Sequence, residues 1–128
     1  MCYFPQIWGS DNTDASVRAR IQNNYSYAYP METVSAHISD CPNHQTLRSV
    51  SLDTRYAVAA FGSLGYECNL CDMNRGDYEA VARQIELYKA WRRVFQKGTF
   101  YRCMDGNVVS WCVVSEIRRV RLAYVIRI

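Results

Sequence analysis

No stretch of this 128-residue chain approaches the roughly 20 consecutive apolar residues that a helix needs to cross a bilayer, so no membrane-spanning segment is expected. Proline and glycine are sparse, at 3 and 6 residues, and neither a low-complexity run nor an internal repeat is present, which removes linker-like, collagen-like and solenoid readings. Lysine is almost missing: only 2 of the 15 basic residues are lysine, and the 13 arginines are dispersed over several segments. Set against 12 acids they leave a net charge of +3 without the concentrated patch that nucleic acid requires, so nucleic acid is not an expected partner. The first residues, Met1-Cys2-Tyr3-Phe4-Pro5-Gln6, lack the basic start and long apolar core of a secretory signal. Met1 therefore reads as a truncation or an internal start, and the cytoplasm is the favoured compartment. With nothing to indicate an oxidising environment, the 6 cysteines are expected to be free thiols, although Cys103 and Cys112 fall on strands of one hairpin.

What is present is a half-hydrophobic composition with alternating periods. Residues 6–10 read as a short inner strand. From Asp14 onward, Val17, Ile21 and Tyr25 recur at spacing four, the stripe of a helix buried on one face, which Asn23-Asn24 and residues 26–30 break. Residues 34–39 read as a second strand running into a Pro-Asn loop. Ser51 can cap a helix over 52–61, ended by Gly62, and residues 62–73 show no clear period. Over 77–96, Tyr78, Val81, Ile85, Tyr88, Trp91 and Phe95 form a long apolar stripe, with Asn74 as N-cap and Gly98 at the stop. Beyond Gly98 the period becomes two. Val120, Leu122, Tyr124, Ile126 and Ile128 share one face, Arg119, Arg121 and Arg127 the other, and Asp105-Gly106 separates 99–103 from 107–115 as a tight hairpin turn. The expected fold class is α/β, with strand and helix units in residues 1–98 and the first strands of an antiparallel β domain in 99–128.

The most informative segment is Pro5-Gln6-Ile7-Trp8-Gly9-Ser10-Asp11-Asn12-Thr13-Asp14-Ala15, a strand that delivers the Asp11 carboxylate to a loop just before a helix. Folds of alternating strands and helices place catalytic groups there. The segment resembles the acid/base motif of the α-galactosidases of glycoside hydrolase family 36. The resemblance continues through Ala36-His37-Ile38-Ser39-Asp40-Cys41-Pro42-Asn43-His44-Gln45, Gly62-Ser63-Leu64-Gly65-Tyr66-Glu67, Gln84-Ile85-Glu86-Leu87-Tyr88-Lys89, Phe100-Tyr101-Arg102 and Ser110-Trp111-Cys112-Val113-Val114-Ser115-Glu116. These blocks span nearly the whole chain in the family's order and spacing.

The resemblance implies that residues 1–98 are the terminal portion of a (β/α)8 TIM barrel, with 6–10 and 34–39 as its last two strands. A whole barrel takes about 250 residues, so a fragment of a larger enzyme is expected. The implied reaction removes terminal α-linked galactose from oligosaccharides by double displacement, which needs two carboxyl groups about 5 to 5.5 Å apart. Asp11 would be the acid/base. The nucleophile of the family lies upstream, in a Lys-Trp-Asp-Met-Asn type motif that this chain lacks, so the isolated chain is expected to be inactive. The family also contains α-N-acetylgalactosaminidases, so the choice of galactose is inherited from the resemblance. It implies no cofactor and no metal; the implied partner is an α-galactoside oligosaccharide, and the whole enzyme is expected as a homo-oligomer.

Trp8 shares strand parity with Gln6 and Ser10 and can form an aromatic wall for the sugar or pack in the core. Asn43 and His44 follow the second strand and can line the same mouth, with Asn43 equally suited to forming a turn. Asp11 has its own plain alternative as an Asx turn or helix cap, and Asp14 suits the first helical turn. Asp72-Met73-Asn74-Arg75 looks like the nucleophile motif but follows the acid/base segment and lacks the Lys-Trp pair; it reads as the turn leading into the long helix. The competing chemistry is a zinc set, Cys41-x-x-His44 with Cys68-x-x-Cys71, spaced for tetrahedral coordination. Two alternatives thus stand beside the enzyme: a small zinc-stabilised interaction module, and a noncatalytic remnant.

Overall fold

The computed structural model describes residues 5–128; Cys2, one of the six cysteines, lies outside them. Three chain segments run parallel, side by side. Ile7 forms a single parallel bridge to Val34, with Ile7 N–H donating to Thr33 O and Ser35 N–H to Ile7 O, both at 2.8 Å. Strand β1 (Ser35–Ser39) then pairs in parallel with β2 (Ser63–Glu67), Ser35 opposite Ser63 and Ser39 opposite Glu67. Parallel neighbours cannot be joined by a hairpin, and helices α1 (Ala15–Tyr25) and α2 (Leu52–Ala59) make the crossings. The sequence reading of 62–73 missed β2, because Ser-Leu-Gly-Tyr-Glu has a glycine in its middle. That glycine has a steric reason: a Cβ on Gly65 would sit 2.5 Å from Cδ2 of His37, its partner across the ladder.

Helix α1 differs from its expected pattern in two ways. Asn23-Asn24 do not break it but lie in its last turn. Val17, Ile21 and Tyr25 are only half-buried, whereas Arg18, Ala19, Gln22 and Asn23 are buried. The helix covers a surface that presents carbonyls, so donors bury better than aliphatics there: Gln22 Nε2 donates to Val58 O at 2.8 Å. Helix α2 is capped by Ser51, whose Oγ accepts from Thr54 N–H, and its buried run Tyr56, Ala57, Val58, Ala59 continues into Ala60 and Phe61. After a 3-10 turn at Leu70–Asp72 comes α3 (Arg75–Lys97), which starts on Asn74 and stops at Gly98 as the sequence indicates. Asn74 Oδ1 accepts from Asp77 N–H at 2.9 Å while its amide donates to Asp77 Oδ2 at 2.8 Å. Of the expected stripe, Val81, Tyr88 and Phe95 are buried. Tyr78 is instead 56% exposed, and Gln84 takes a buried place, accepting from Tyr66 OH and donating to Asp53 Oδ1.

Beyond Gly98 lies an antiparallel sheet in the order β3 (Thr99–Asp105), β4 (Val108–Val114), β5 (Arg121–Arg127). The two-residue loop between β3 and β4 is Gly106-Asn107, with Gly106 at φ +56°, a left-handed conformation that glycine adopts without strain. Val109, Trp111 and Val113 point into the core, and Cys103 and Cys112 face Ser110 and Tyr101, not each other. All five described cysteines are free thiols. Phe61 at the end of α2 joins the two sheets: its ring meets Phe95 at 5.4 Å, Trp111 at 5.5 Å, Tyr124 at 5.7 Å and Phe100 at 5.8 Å, all edge-on, the favoured aromatic geometry.

Candidate active site

Because the Ile7 segment, β1 and β2 are parallel, the loops after them open on one side of the sheet. The first of these loops, residues 8–14, is tied down at almost every polar group. Gly9 turns the chain at φ +82°. Arg18 Nη1 donates to the carbonyls of Trp8 at 3.1 Å and Ser10 at 3.0 Å, Arg18 Nη2 donates to Ser35 O, and Tyr25 OH donates to Gly9 O at 3.2 Å. One helix thus grips three consecutive carbonyls of the loop. Ser10 Oγ accepts from Asn12 N–H, Asn12 Oδ1 accepts from Asp14 N–H, and Thr13 Oγ1 accepts from Asn43 Nδ2.

Asp14 is the N-cap of α1, accepting from the N–H groups of Ser16 and Val17, and it also binds Thr46 Oγ1 and Arg48 Nη1. Its burial alone would raise its pKa, but the Thr46 hydroxyl, the Val17 and Ser16 N–H groups and Arg48 outweigh burial and hold it below the ordinary carboxylate value. Asp11 is treated differently. It is exposed, and among the described residues its carboxylate accepts one hydrogen bond, from Trp8 Nε1 at 2.8 Å. The Asx-turn and capping parts that a Ser-Asp-Asn-Thr-Asp string invites are taken by Asn12 and Asp14.

Trp8 belongs to the face of the sheet opposite the helices. Its ring lies edge-on to His37, centroids 4.7 Å apart, with the Arg18 guanidinium 5.5 Å from its centroid. His37 Nδ1 in turn lies 3.6 Å from Glu67 Oε2, and Gln6 Nε2 donates to Ser63 Oγ at 2.9 Å on the same face. Asn43 is 4% exposed and fully engaged: its amide donates to Thr13 Oγ1 and Ser39 Oγ, and its carbonyl accepts from the N–H groups of Gln45 and Thr46. His44 is exposed on the loop beyond it. The fold therefore joins Trp8 directly to Asp11, ties Asn43 to the same loop through Thr13, and leaves His44 outside that network. The sequence reading overlooked His37 and Glu67. The signal for His37 was parity, since Ser35, His37 and Ser39 alternate with the core residues Ala36 and Ile38; Glu67, at the end of the missed β2, carried none.

Among the described residues no three His, Cys, Asp or Glu side chains gather in a way that could hold a metal ion. Cys41, His44 and Cys71 are exposed, and burial together with Asp40 pushes the Cys68 thiol pKa up. The spacing of the Cys3His set is thus not matched by convergence in space. Asp72 ends its 3-10 turn by accepting from Asn69 Nδ2 at 2.7 Å, in the turn that leads into α3.

Parallel strands crossed by helices, with an exposed carboxylate in the loop after one of them and an antiparallel sheet behind, define the end of a (β/α)8 barrel and the start of a β domain. A family model described as Melibiase matches residues 1–98. The chain belongs to this family, the α-galactosidases of glycoside hydrolase family 36. It is 47% identical over 116 residues to α-galactosidase 1 of Pediococcus pentosaceus, covering 88% of this chain and 16% of that protein. Over 98% of its length it is 41% identical to α-galactosidase AgaA of Geobacillus stearothermophilus, of which it covers 18%. A crystal structure of a variant of that enzyme in complex with raffinose superposes with a TM-score of 0.95 at 40% identity, over 98% of this chain and 18% of the other. The chain thus spans less than a fifth of the length of these relatives.

Proposed function

We propose that this chain is a segment of a retaining α-galactosidase that removes terminal α-linked galactose from oligosaccharides, with residues 1–98 as the last part of its catalytic barrel and 99–128 as the start of its C-terminal β domain. The observation that carries the reading is the state of Asp11: it alone among the polar side chains of its loop is left exposed, while its neighbours build the turn. Relatives crystallised with raffinose and with stachyose support an oligosaccharide substrate. Asp11 protonates the departing glycosidic oxygen and then, as carboxylate, takes a proton from the water that releases the galactosyl-enzyme. Trp8 forms an aromatic wall of the pocket. Asn43 acts by fixing the loop, and His44 lines the outer mouth. The nucleophile is supplied by a preceding barrel strand, and the whole enzyme assembles as a homo-oligomer.

The test is a chimera: the Geobacillus stearothermophilus α-galactosidase with its matching stretch replaced by residues 1–128. Asp11→Ala in it should slow hydrolysis of raffinose about 10²- to 10⁴-fold. It should spare the first step on aryl galactosides, whose leaving groups need little protonation. Azide, a nucleophile that needs no deprotonation, should restore turnover of the stalled galactosyl-enzyme. Equal loss on both substrates without azide rescue would remove Asp11 from the acid/base part.

A further inference from the structure

The Trp8 ring offers a wall for the sugar, but its indole N–H is already committed, and to Asp11. We propose that Trp8 is a positioning residue for the acid/base: its N–H fixes which oxygen of Asp11 carries the proton, and the His37–Glu67 pair behind the ring fixes the indole. This rests on the acid/base reading of Asp11.

An indole Nε1–H donates and never accepts. The 2.8 Å bond therefore engages Asp11 Oδ1 as an acceptor, and because a carbonyl oxygen accepts better than a hydroxyl oxygen, it favours Oδ2 as the seat of the carboxyl proton. The same atom then donates to the leaving oxygen and later receives the proton from water, with no rotation of the carboxyl in between. An exposed aspartate without such an anchor would sample rotamers, and general acid catalysis depends on the carboxyl standing within hydrogen-bond reach of its target.

Trp8 can hold Asp11 only if it is itself held, and it is held at its backbone and along its ring. Its carbonyl is gripped by Arg18. The next residue is locked in its turn by Gly9 at φ +82° and by Tyr25 on the Gly9 carbonyl. Its ring lies edge-on to His37, which lies over Gly65 so closely that a Cβ there would reach 2.5 Å from the imidazole, with Oε2 of Glu67, on β2, 3.6 Å from His37 Nδ1. The line Glu67, His37, Trp8, Asp11 runs from β2 through β1 to the loop. Glu67 and His37 are on strands, the more rigid support for a positioned group, and Trp8 directly follows the Ile7 bridge.

The experiment uses the same chimera and separates wall from anchor. Trp8→Phe keeps an aromatic face and loses the N–H; replacing Trp8 by 3-benzothienylalanine keeps the whole bicyclic shape with sulfur in place of N–H. Both should lower kcat on raffinose about tenfold or more, the effect of one lost hydrogen bond to a charged group, with KM within about twofold. The first step on an aryl galactoside with a good leaving group should be unchanged, and azide should accelerate the variants. His37→Ala should give a smaller loss with the same dependence on leaving group. A rise in KM alone would make Trp8 a wall only, and loss in equal proportion on both substrates would make it merely structural; either outcome, or no change, overturns the proposal. No leaving-group dependence for His37→Ala would overturn the part given to the His37–Glu67 pair. If Asp11→Ala itself lacks the leaving-group dependence, the acid/base reading has failed; if it has it and both Trp8 replacements do not, only the positioning role has.

Discussion

Two aspartates three residues apart divide the tasks of the loop. Asp11 is left to the solvent side, while Asp14 is 1% exposed and its carboxylate takes hydrogen bonds from two backbone N–H groups and a hydroxyl. Arg48, half-exposed, adds little to this by itself, because its charge is screened by water. The bonds lower the folded pKa of Asp14 below its ordinary 3.8. A depressed carboxylate contributes stability that is fully present above the unfolded value and is lost as pH falls through the folded one. In the chimera, denaturant midpoints should therefore decline below about pH 4, and Asp14→Asn should flatten that decline while costing about 1–3 kcal/mol at pH 7. An unchanged midpoint at pH 7 would show that the cap and its partners contribute nothing. None of this could be read from the string Ser-Asp-Asn-Thr-Asp, in which either aspartate suits a cap; the choice depends on Thr46 and Arg48, more than thirty residues away.

At the scale of elements, the helix α3 was legible down to its caps because its 23 residues average out local exceptions such as Tyr78 and Gln84. The alternation of β5 was legible for the same reason, one face buried and one wet. Helix α1 faces differently from its pattern, since the pattern rule assumes that the buried stripe is apolar, and here Arg18 and Gln22 bury against carbonyl acceptors and Asn23 against the Trp111 N–H. Strand β2 was lost because Gly65 answers to His37 across the ladder, a demand that is not local. Gly98 answers to several demands at once: a Cβ there would lie 2.6 Å from Val113 Cγ2, Val114 O and Val94 O. Two of these are backbone atoms that cannot rotate away. Gly98→Ala should cost about 1–3 kcal/mol or more by overpacking, seen as a lower melting temperature of the chimera; an unaltered melting temperature would mean that α3 and β4 can part freely at this joint.

For the molecule as a whole, the parallel piece presents β2 and the Ile7 segment without further neighbours among the described residues, and unpaired strand edges template association. The 128-residue chain alone should self-associate in sedimentation velocity and, on the proposed mechanism, which needs a second carboxylate from outside this stretch, release no nitrophenol from an aryl α-galactoside. A concentration-independent monomer with cooperative unfolding would show a self-sufficient unit instead. Its two parts, though, are not loosely strung. Trp111 Nε1 donates to Asn23 and Arg20 Nη2 to Asn107, so the sheet is fastened to the same helix whose Arg18 and Tyr25 grip the Asp11 loop. A swivel about Gly98 would have to tear out both fastenings and draw Phe61 away from the rings of Phe100, Trp111 and Tyr124. In mechanical terms α1 is a lever, with the sheet at one arm and the backbone of the Asp11 loop at the other, the two holds standing about 7 Å apart along the helix.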